Sequence, residues 1–526
     1  MTDAAASPPA ESLAVDLPRR AAEDPDRTGL HFEDGRSWTY REWAQWATGV
    51  AAGLRERGVG EGDRVAIFLP NSPELVFALF GAWYAGAVPV TVSSLYNRDE
   101  LDKSLAEVEP ALVVVAAEIP GLGIAQATID AAGGGDLVAA GGEPATPPAP
   151  ADAETDGAIL FTGGTTGSPK AVRLSHAGLR GALRRLATAS KGGRPGPYPL
   201  APPEVTPNLL VLPLFHSGGQ HALLFALHVG RASVLTRRFS VDGVSRLVDE
   251  YAIDNLFLMP TMVFDLAEAP PEVTLESVRS VLVAGQALDP HVRRRFEERY
   301  EIPILESYGS TEIGHVAGWT AKDMREGRWK PGAAGRLYDG VEVEIRDEEG
   351  NALGPDEVGE ICVRTGLTKG YVVKGEESAG VLVGEDGWVH SGDIGRIDAD
   401  GVLFLSGRQR DMIKTGGFQV WPAELETELR SHPWVADVAI VAAPDPRLGE
   451  IPQAIVVLAE EAAGADRQEI ADALAAHLRD RLAHFKAARS VAFAEQLPRT
   501  AAGKIDRAAL ARMIDSVESF QPVIRA

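Results

Sequence analysis

The stretch Phe161-Thr162-Gly163-Gly164-Thr165-Thr166-Gly167-Ser168-Pro169-Lys170 decides how the chain is read. An apolar strand at 158–161 leads into it, and residues 171–174 read as another strand. Between them lie small side chains, free backbone N–H groups, hydroxyl donors and a terminal lysine, a combination that wraps a polyphosphate. A Walker A loop needs Gly-Lys-Ser/Thr opening a helix. Here Pro169 precedes Lys170, and Gly503-Lys504 also lacks the Ser/Thr, which argues against a P-loop kinase or ATPase. A plain Gly/Thr hairpin has the same composition, so this segment alone leaves both readings open.

On its N-terminal side the chain alternates strand and helix. Residues 64–69 form a short apolar run, and Ser72-Pro73-Glu74 is a helix start with a hydroxyl cap, a proline at the first helical position and an acid in the first turn. That helix stops at Gly86, and 88–92 is the next strand. The βαβ pattern predicts parallel strands in an α/β layer fold. Residues 119–156 and 191–207 are rich in Gly and Pro and read as surface excursions.

On the C-terminal side the texture changes. Short strands at 341–345, 359–364 and 402–406 suggest a small β-rich subdomain. Beyond Gly407 the pattern becomes α+β. A helix starts at Pro422, strands follow at 438–441 and 454–458, and a helix then carries Ile470, Leu474, Leu478 and Leu482 on one face. A boundary falls at 407–411, dividing the chain into 1–409 and 410–526.

Bulk properties narrow the function. The 526 residues suggest about three or four folding units. The net charge of −24 disfavours nucleic acid and anionic membrane surfaces as partners. The single cysteine, Cys362, allows no internal disulfide; it sits in Glu360-Ile361-Cys362-Val363 and reads as a buried strand residue in a reducing compartment. Residues 1–13 lack a signal-peptide pattern, and the most apolar run, 75–90, is interrupted by Gly81, Gly86 and Pro89. A cytoplasmic enzyme is the expectation.

Four further segments carry candidate chemistry. Glu306-Ser307-Tyr308-Gly309-Ser310-Thr311-Glu312 offers a ring for a purine, a hydroxyl for phosphate and a hard oxygen ligand for Mg²⁺. Trp388-Val389-His390-Ser391-Gly392-Asp393 places an aspartate after a glycine turn, suited to two ribose hydroxyls. Gly407-Arg408-Gln409-Arg410-Asp411-Met412-Ile413-Lys414-Thr415-Gly416-Gly417-Phe418 sets basic groups and glycines at the domain junction. Pro498-Arg499-Thr500-Ala501-Ala502-Gly503-Lys504 puts a lysine on a late glycine loop. Taken singly, these also fit a polar turn, an Asx turn, a solvated linker and a surface loop.

Together, in this order and over roughly residues 16–511, the five segments resemble the ANL adenylate-forming superfamily: acyl-CoA synthetases, adenylation domains of non-ribosomal peptide synthetases, and firefly luciferase. The resemblance implies a large N-terminal domain of α/β layers plus a small β-barrel-like part, and a small mobile α+β C-terminal domain. By similarity, Thr162, Gly163, Gly164, Thr165, Thr166, Gly167 and Lys170 close over the β- and γ-phosphates of ATP. Glu306, Ser307, Tyr308 and Gly309 form the adenine wall, Thr311 meets the α-phosphate, Glu312 holds Mg²⁺, and Asp393 with Arg408 holds the ribose. Lys504 looks like the adenylation lysine, and Arg410 the hinge that would withdraw it and present Lys414 for a second half-reaction. His216, in Phe215-His216-Ser217-Gly218-Gly219, resembles the aromatic–histidine turn of the acid channel, though a satisfied turn histidine fits equally; Gly285 and Gln286 lie on a pocket wall.

The implied reaction is activation of a small carboxylic acid to acyl-AMP and pyrophosphate, then transfer to coenzyme A. Alternatives are delivery to a carrier-protein thiol or a partner enzyme, and a non-catalytic nucleotide or acyl binder, which would have no need of Glu312, Asp393, Arg408 and Lys504 together. Either a monomer or a homodimer fits. No acid stands beside Phe215-His216 to pair with an α-amino group, so an α-amino acid is disfavoured, and Gly285, Gly309 and Gly314 leave room for an apolar or aromatic acid. Gly163 replaces a serine common in relatives, Ala171 a glycine, and 485–489 lacks a usual proline.

Overall fold

Local signals set the first layer. The Ser72 hydroxyl accepts from the Leu75 N–H at 3.3 Å, Pro73 takes the first turn, and Gly86 ends the helix Pro73–Ala85 at φ +82°. Gly86 is needed there because the left-handed region penalises a Cβ. The flanking strands Arg64–Phe68 and Val88–Thr91 pair in parallel, as the βαβ pattern predicts. The helix is buried on nearly every face because the helix Tyr40–Glu56 packs over it, with Trp46 stacked on Phe77 at 4.9 Å.

The computed structural model describes residues 12–130, 135–137, 155–162, 170–190, 198–374, 376–378, 383–384, 386–415, 418–445, 447–462, 464–482, 486–488, 490–499, 505–507, 509–510 and 521–522. They form a mixed α/β structure with three sheets. An eight-stranded sheet holds the βαβ strands at its centre, and its strands Asp156–Thr162 and Lys170–Ser175 pair antiparallel with Thr162 opposite Lys170.

A thirteen-stranded sheet changes character along its width. Asn208–Leu210, Asn255–Leu258, Ser280–Ala284 and Ile304–Ser310 run parallel. From Ile304–Ser310 onward the neighbours are antiparallel: Gly314–Gly318, Ala333–Leu337, Val402–Arg408, Val389–Ile397, Gly359–Arg364 and Glu342–Arg346. The β-rich part expected at 330–406 is thus hydrogen-bonded onto the edge of the parallel layer. The switch between the two regimes falls within the Glu306–Glu312 segment. Open α/β sheets place ligands in the crevice outside the carboxyl ends of their strands.

The third sheet contains Ile413–Thr415, Val435–Asp445 and Gly449–Leu458. Against it pack the helices Pro422–Arg430 and Arg467–Arg481, the latter burying Ile470, Leu474 and Leu478 as its spacing predicts. Only the turn Gln409–Asp411 and Met412 separate Val402–Arg408, in the thirteen-stranded sheet, from Ile413–Thr415, in this one. No helix among the described residues is long and apolar enough to cross a membrane.

Candidate active site

Two junctions of side chains meet around the hairpin that joins Ile304–Ser310 to Gly314–Gly318. The hairpin is tight because Gly309 lets the chain fold back: a Cβ there would lie 1.9 Å from the Gly314 carbonyl oxygen.

At the first junction the Tyr308 hydroxyl donates to Asp393 Oδ2 at 2.7 Å, and Arg408 Nε donates to Asp393 Oδ1 at 3.1 Å. Asp393 and Arg408 are cross-strand partners in register. Tyr308 and Asp393 are nearly enclosed, whereas Arg408 is exposed. Burial first, then the adjacent Asp393 charge, holds the Tyr308 hydroxyl well above its usual range, so it stays a donor to a carboxylate. The approach to Asp393 is fixed by Gly392 at φ +70°, whose N–H donates to Glu360 Oε1 at 3.1 Å, and by the Ser391 hydroxyl, which accepts from the Asp393 N–H at 3.0 Å.

At the second junction the Thr311 hydroxyl donates to Ser217 Oγ at 3.1 Å. Ser217 opens the helix Ser217–His228, which His216 caps by accepting the Gly218 N–H on Nδ1 at 3.1 Å. Thr311 and His216, 95 positions apart by 311 − 216, are thereby neighbours. Next to Thr311 the Glu312 carboxylate makes no ion pair among the described residues. A hard-oxygen donor without a cation, beside a hydroxyl, fits Mg²⁺.

The remaining candidates are placed as follows. Lys170 is exposed at its strand end, with its ammonium 5.1 Å from the centre of the Tyr371 ring. Gly285 has φ +96° after the strand Ser280–Ala284, with Gln286 exposed beside it. The Glu306 carboxylate is engaged by Arg293, itself 4.6 Å over the Trp329 ring, so it ties the central strand Ile304–Ser310 to the helix Pro290–Tyr300. The Ser307 hydroxyl donates to the Ala317 carbonyl at 3.3 Å. Lys414 is exposed and its N–H donates to Glu450 at 3.1 Å. Arg410 lies in the connecting turn Gln409–Asp411. Gly163, Gly164, Thr165, Thr166, Gly167 and Lys504 lie outside the described residues, as does the Arg410 side chain.

Sequence reading missed Ser217 and Glu360, which hold Thr311 and Gly392. Ser217 is signalled only by following His216; Glu360 has no local signal, because its partner lies 32 positions away. Cys362 is buried in its strand, with Sγ 3.6 Å from His390 Nδ1.

The mixed α/β fold with its small C-terminal part is that of the adenylate-forming superfamily. The chain belongs to the AMP-binding enzyme family, whose pattern matches residues 17–372; the pattern of the AMP-binding enzyme C-terminal domain matches residues 424–504. It is an AMP-forming acid–thiol ligase of the acyl-CoA synthetase kind, using ATP and coenzyme A. Among its relatives, 4-coumarate–CoA ligase 3 of Oryza sativa subsp. japonica is 33% identical over 90% of this chain and 87% of its own length. A feruloyl-CoA synthase of Amycolatopsis sp is 33% identical over 93% of this chain and 96% of its own. Among solved structures, ATP-bound MatB from Rhodopseudomonas palustris superposes with a TM-score of 0.85 at 27% identity, covering 96% of this chain and 100% of that one. The o-succinylbenzoate CoA synthetase from Bacillus subtilis with its acyl-adenylate superposes at 0.81 with 27% identity, covering 94% and 97%.

Proposed function

We propose that the acid activated here is an aryl or apolar carboxylic acid, and that the residues above divide the work as follows. Asp393 receives the ribose hydroxyls, steadied by Tyr308 and Arg408. Tyr308 and Gly309 flank the adenine. Residues 162–170, ending in Lys170, close on the β- and γ-phosphates. Thr311 contacts the α-phosphate, and Glu312 holds Mg²⁺, which supplies charge neutralisation on the phosphates when bound. The observation that carries this reading is the shared Asp393 carboxylate: Tyr308 and Arg408, from two other candidate segments, bond its two oxygens.

In the first step a carboxylate oxygen of the acid attacks the α-phosphorus, and pyrophosphate leaves with its bonding pair. The acid's own oxide is a poor leaving group, whereas AMP is a good one. Lys504 places its charge where negative charge builds in that transition state. In the second step a thiolate adds to the acyl carbonyl and AMP departs. Arg410 is the pivot between steps, with Lys414 brought in as Lys504 withdraws. The placement of Val402–Arg408 and Ile413–Thr415 in different sheets supports a hinge between 409 and 410. His216, beside Thr311 through Ser217, gates the acid channel. A single cysteine and the acidic surface favour a reducing, cytoplasmic setting.

Pyrophosphate release with MgATP, scanned over aryl, polycyclic and fatty acids with and without coenzyme A and read by mass, tests the proposal. Acid-dependent release with acyl-CoA formation supports it. Release that stops at acyl-AMP moves the acceptor to a carrier-protein thiol or partner enzyme, and silence with every aryl and apolar acid rejects the substrate class.

A further inference from the structure

Behind the second junction lies a cation that nothing in the adenylation chemistry uses. Arg185 sits in the helix His176–Ser190, which packs against the helix Ser217–His228 and the strand Gly314–Gly318. Its Nε and Nη2 are closed off from solvent and make no hydrogen bond; among the described residues it has no carboxylate partner. A Cβ on Gly340 would lie 3.8 Å from Arg185 Cδ, and one on Gly314 3.9 Å from Ala182 Cβ, so the arginine is wedged at the hairpin. The helix neighbour Arg184 is exposed.

Two buried imidazoles share this space. His221 and His315 have ring centres 5.7 Å apart, and His221 Nε2 is buried without a hydrogen-bond partner. Phe257 closes the other side, 6.4 Å from His315. Burial first, then the neighbouring His315 and His216, and only after them Arg185, hold His221 near 3; burial and then Arg185 hold His315 near 4. Both rings are therefore neutral at pH 7, and Arg185 is the fixed positive charge of the group. Burial lowers the Arg185 pKa as well, and among the described residues no carboxylate acts against it.

Ser217 and His221 are four residues apart on one helix and share a face. Ser217 bonds Thr311, so the line from Thr311 through Ser217 to His221 descends about one helical turn, roughly 5.4 Å. The reacting carboxylate belongs at the Thr311 end. Arg185, His221 and His315 lie on the two helices and the strand that pack together behind Thr311, and Arg185 Nε and Nη2 and His221 Nε2 are closed off without hydrogen-bond partners. Arg185 is half-buried, but guanidinium nitrogens shut from water and left unpaired are costly, and a hydrogen-bonded anion offsets that cost.

Resting on the reading of this pocket as the acid site, we propose that the acid carries a second, distal carboxylate, which Arg185 binds with His221 as a further hydrogen-bond partner. The substrate class is a dicarboxylic acid with an apolar or aromatic body, activated at one end and anchored at the other. Arg185 is the residue that selects it.

The test uses the full-length protein and matched acids: cinnamate against 4-carboxycinnamate, benzoate against terephthalate, hexanoate against adipate. ATP–pyrophosphate exchange gives kcat/KM for each. In at least one pair the wild type favours the diacid by about 10-fold or more, and Arg185→Gln lowers the diacid-to-monoacid ratio at least about 100-fold, as loss of one partner of a buried charge pair does. Arg185→Lys, which keeps the charge without the planar fork, falls between and serves where the Gln variant fails to fold. A wild type that favours the monoacid in every pair, or a ratio indifferent to Arg185, overturns the proposal. Calorimetric titration of the diacids into wild type and Arg185→Lys or Gln reads the pocket separately. If no acid supports exchange, the aryl or apolar substrate class fails, while weakened diacid binding in the variants still supports Arg185 and equal binding refutes it.

Discussion

Asp393 accepts from a phenol on one oxygen and a guanidinium on the other, which leaves the remaining lone pairs to a ligand. Asp393→Asn removes the charge on which both donors rely. A charge-assisted hydrogen bond contributes about 1.5–3 kcal/mol, so KM for ATP should rise by roughly 10- to 100-fold; an unchanged KM in pyrophosphate exchange would sink the ribose assignment. Tyr308→Phe removes one donor and should raise the same KM by a smaller factor, with the double variant less than additive because the two groups are in contact. Lys504→Ala should nearly abolish adenylate formation and leave thioester formation from supplied acyl-AMP far less affected. Comparable loss in both halves contradicts its role.

At the scale of elements, the site depends on turns that place side chains. Gly392 needs φ +70°, and a Cβ there costs about 1–2 kcal/mol. Gly392→Ala should therefore lower the denaturation midpoint modestly and raise KM for ATP, because Asp393 follows directly; a variant with normal ATP affinity shows that the turn does not position it. Cys362 illustrates a strand residue held out of chemistry. Burial first, and the nearby Glu360 charge second, push its thiol up to about 12. It stays protonated at neutral pH, so a thiol-specific disulfide reagent should label it only on unfolding. Rapid labelling of the native protein is incompatible with that burial.

Across the whole molecule, buried histidines tie stability to pH. Burial holds His176 and His315 near 4 and His221 near 3. In the unfolded chain each takes up a proton near 6.5. As pH falls below that value the unfolded state binds protons that the native state refuses, so stability drops by up to ~1.4 kcal/mol per pH unit for each, until the native groups titrate. Urea midpoints between pH 7 and 5 should show the decline, and a His221→Gln/His315→Gln double variant should flatten it; an unaltered slope removes these two as the cause. The hinge also belongs to this scale. Arg410→Pro should impair thioester formation more than adenylation, and unchanged thioester synthesis discards the pivot.

Much of this was legible in the sequence, because caps, turns and periodicity act over a few residues. Ser72-Pro73 and Gly86 delimit a helix within the chain's own local chemistry, and Ile470, Leu474 and Leu478 share a face by spacing alone. The order of the motifs indicated the class of reaction. What the sequence does not carry is distance between segments. Tyr308 and Asp393 are 85 positions apart, and only the pairing of strands across the sheet brings them to 2.7 Å. Arg184 and Arg185 are indistinguishable as letters. A rotation of about 100° around one helix sends the first to water and the second beneath a hairpin with two buried imidazoles. Propensity and pattern determined which elements form; burial, and with it the loss of water around a charge, was decided only when those elements packed.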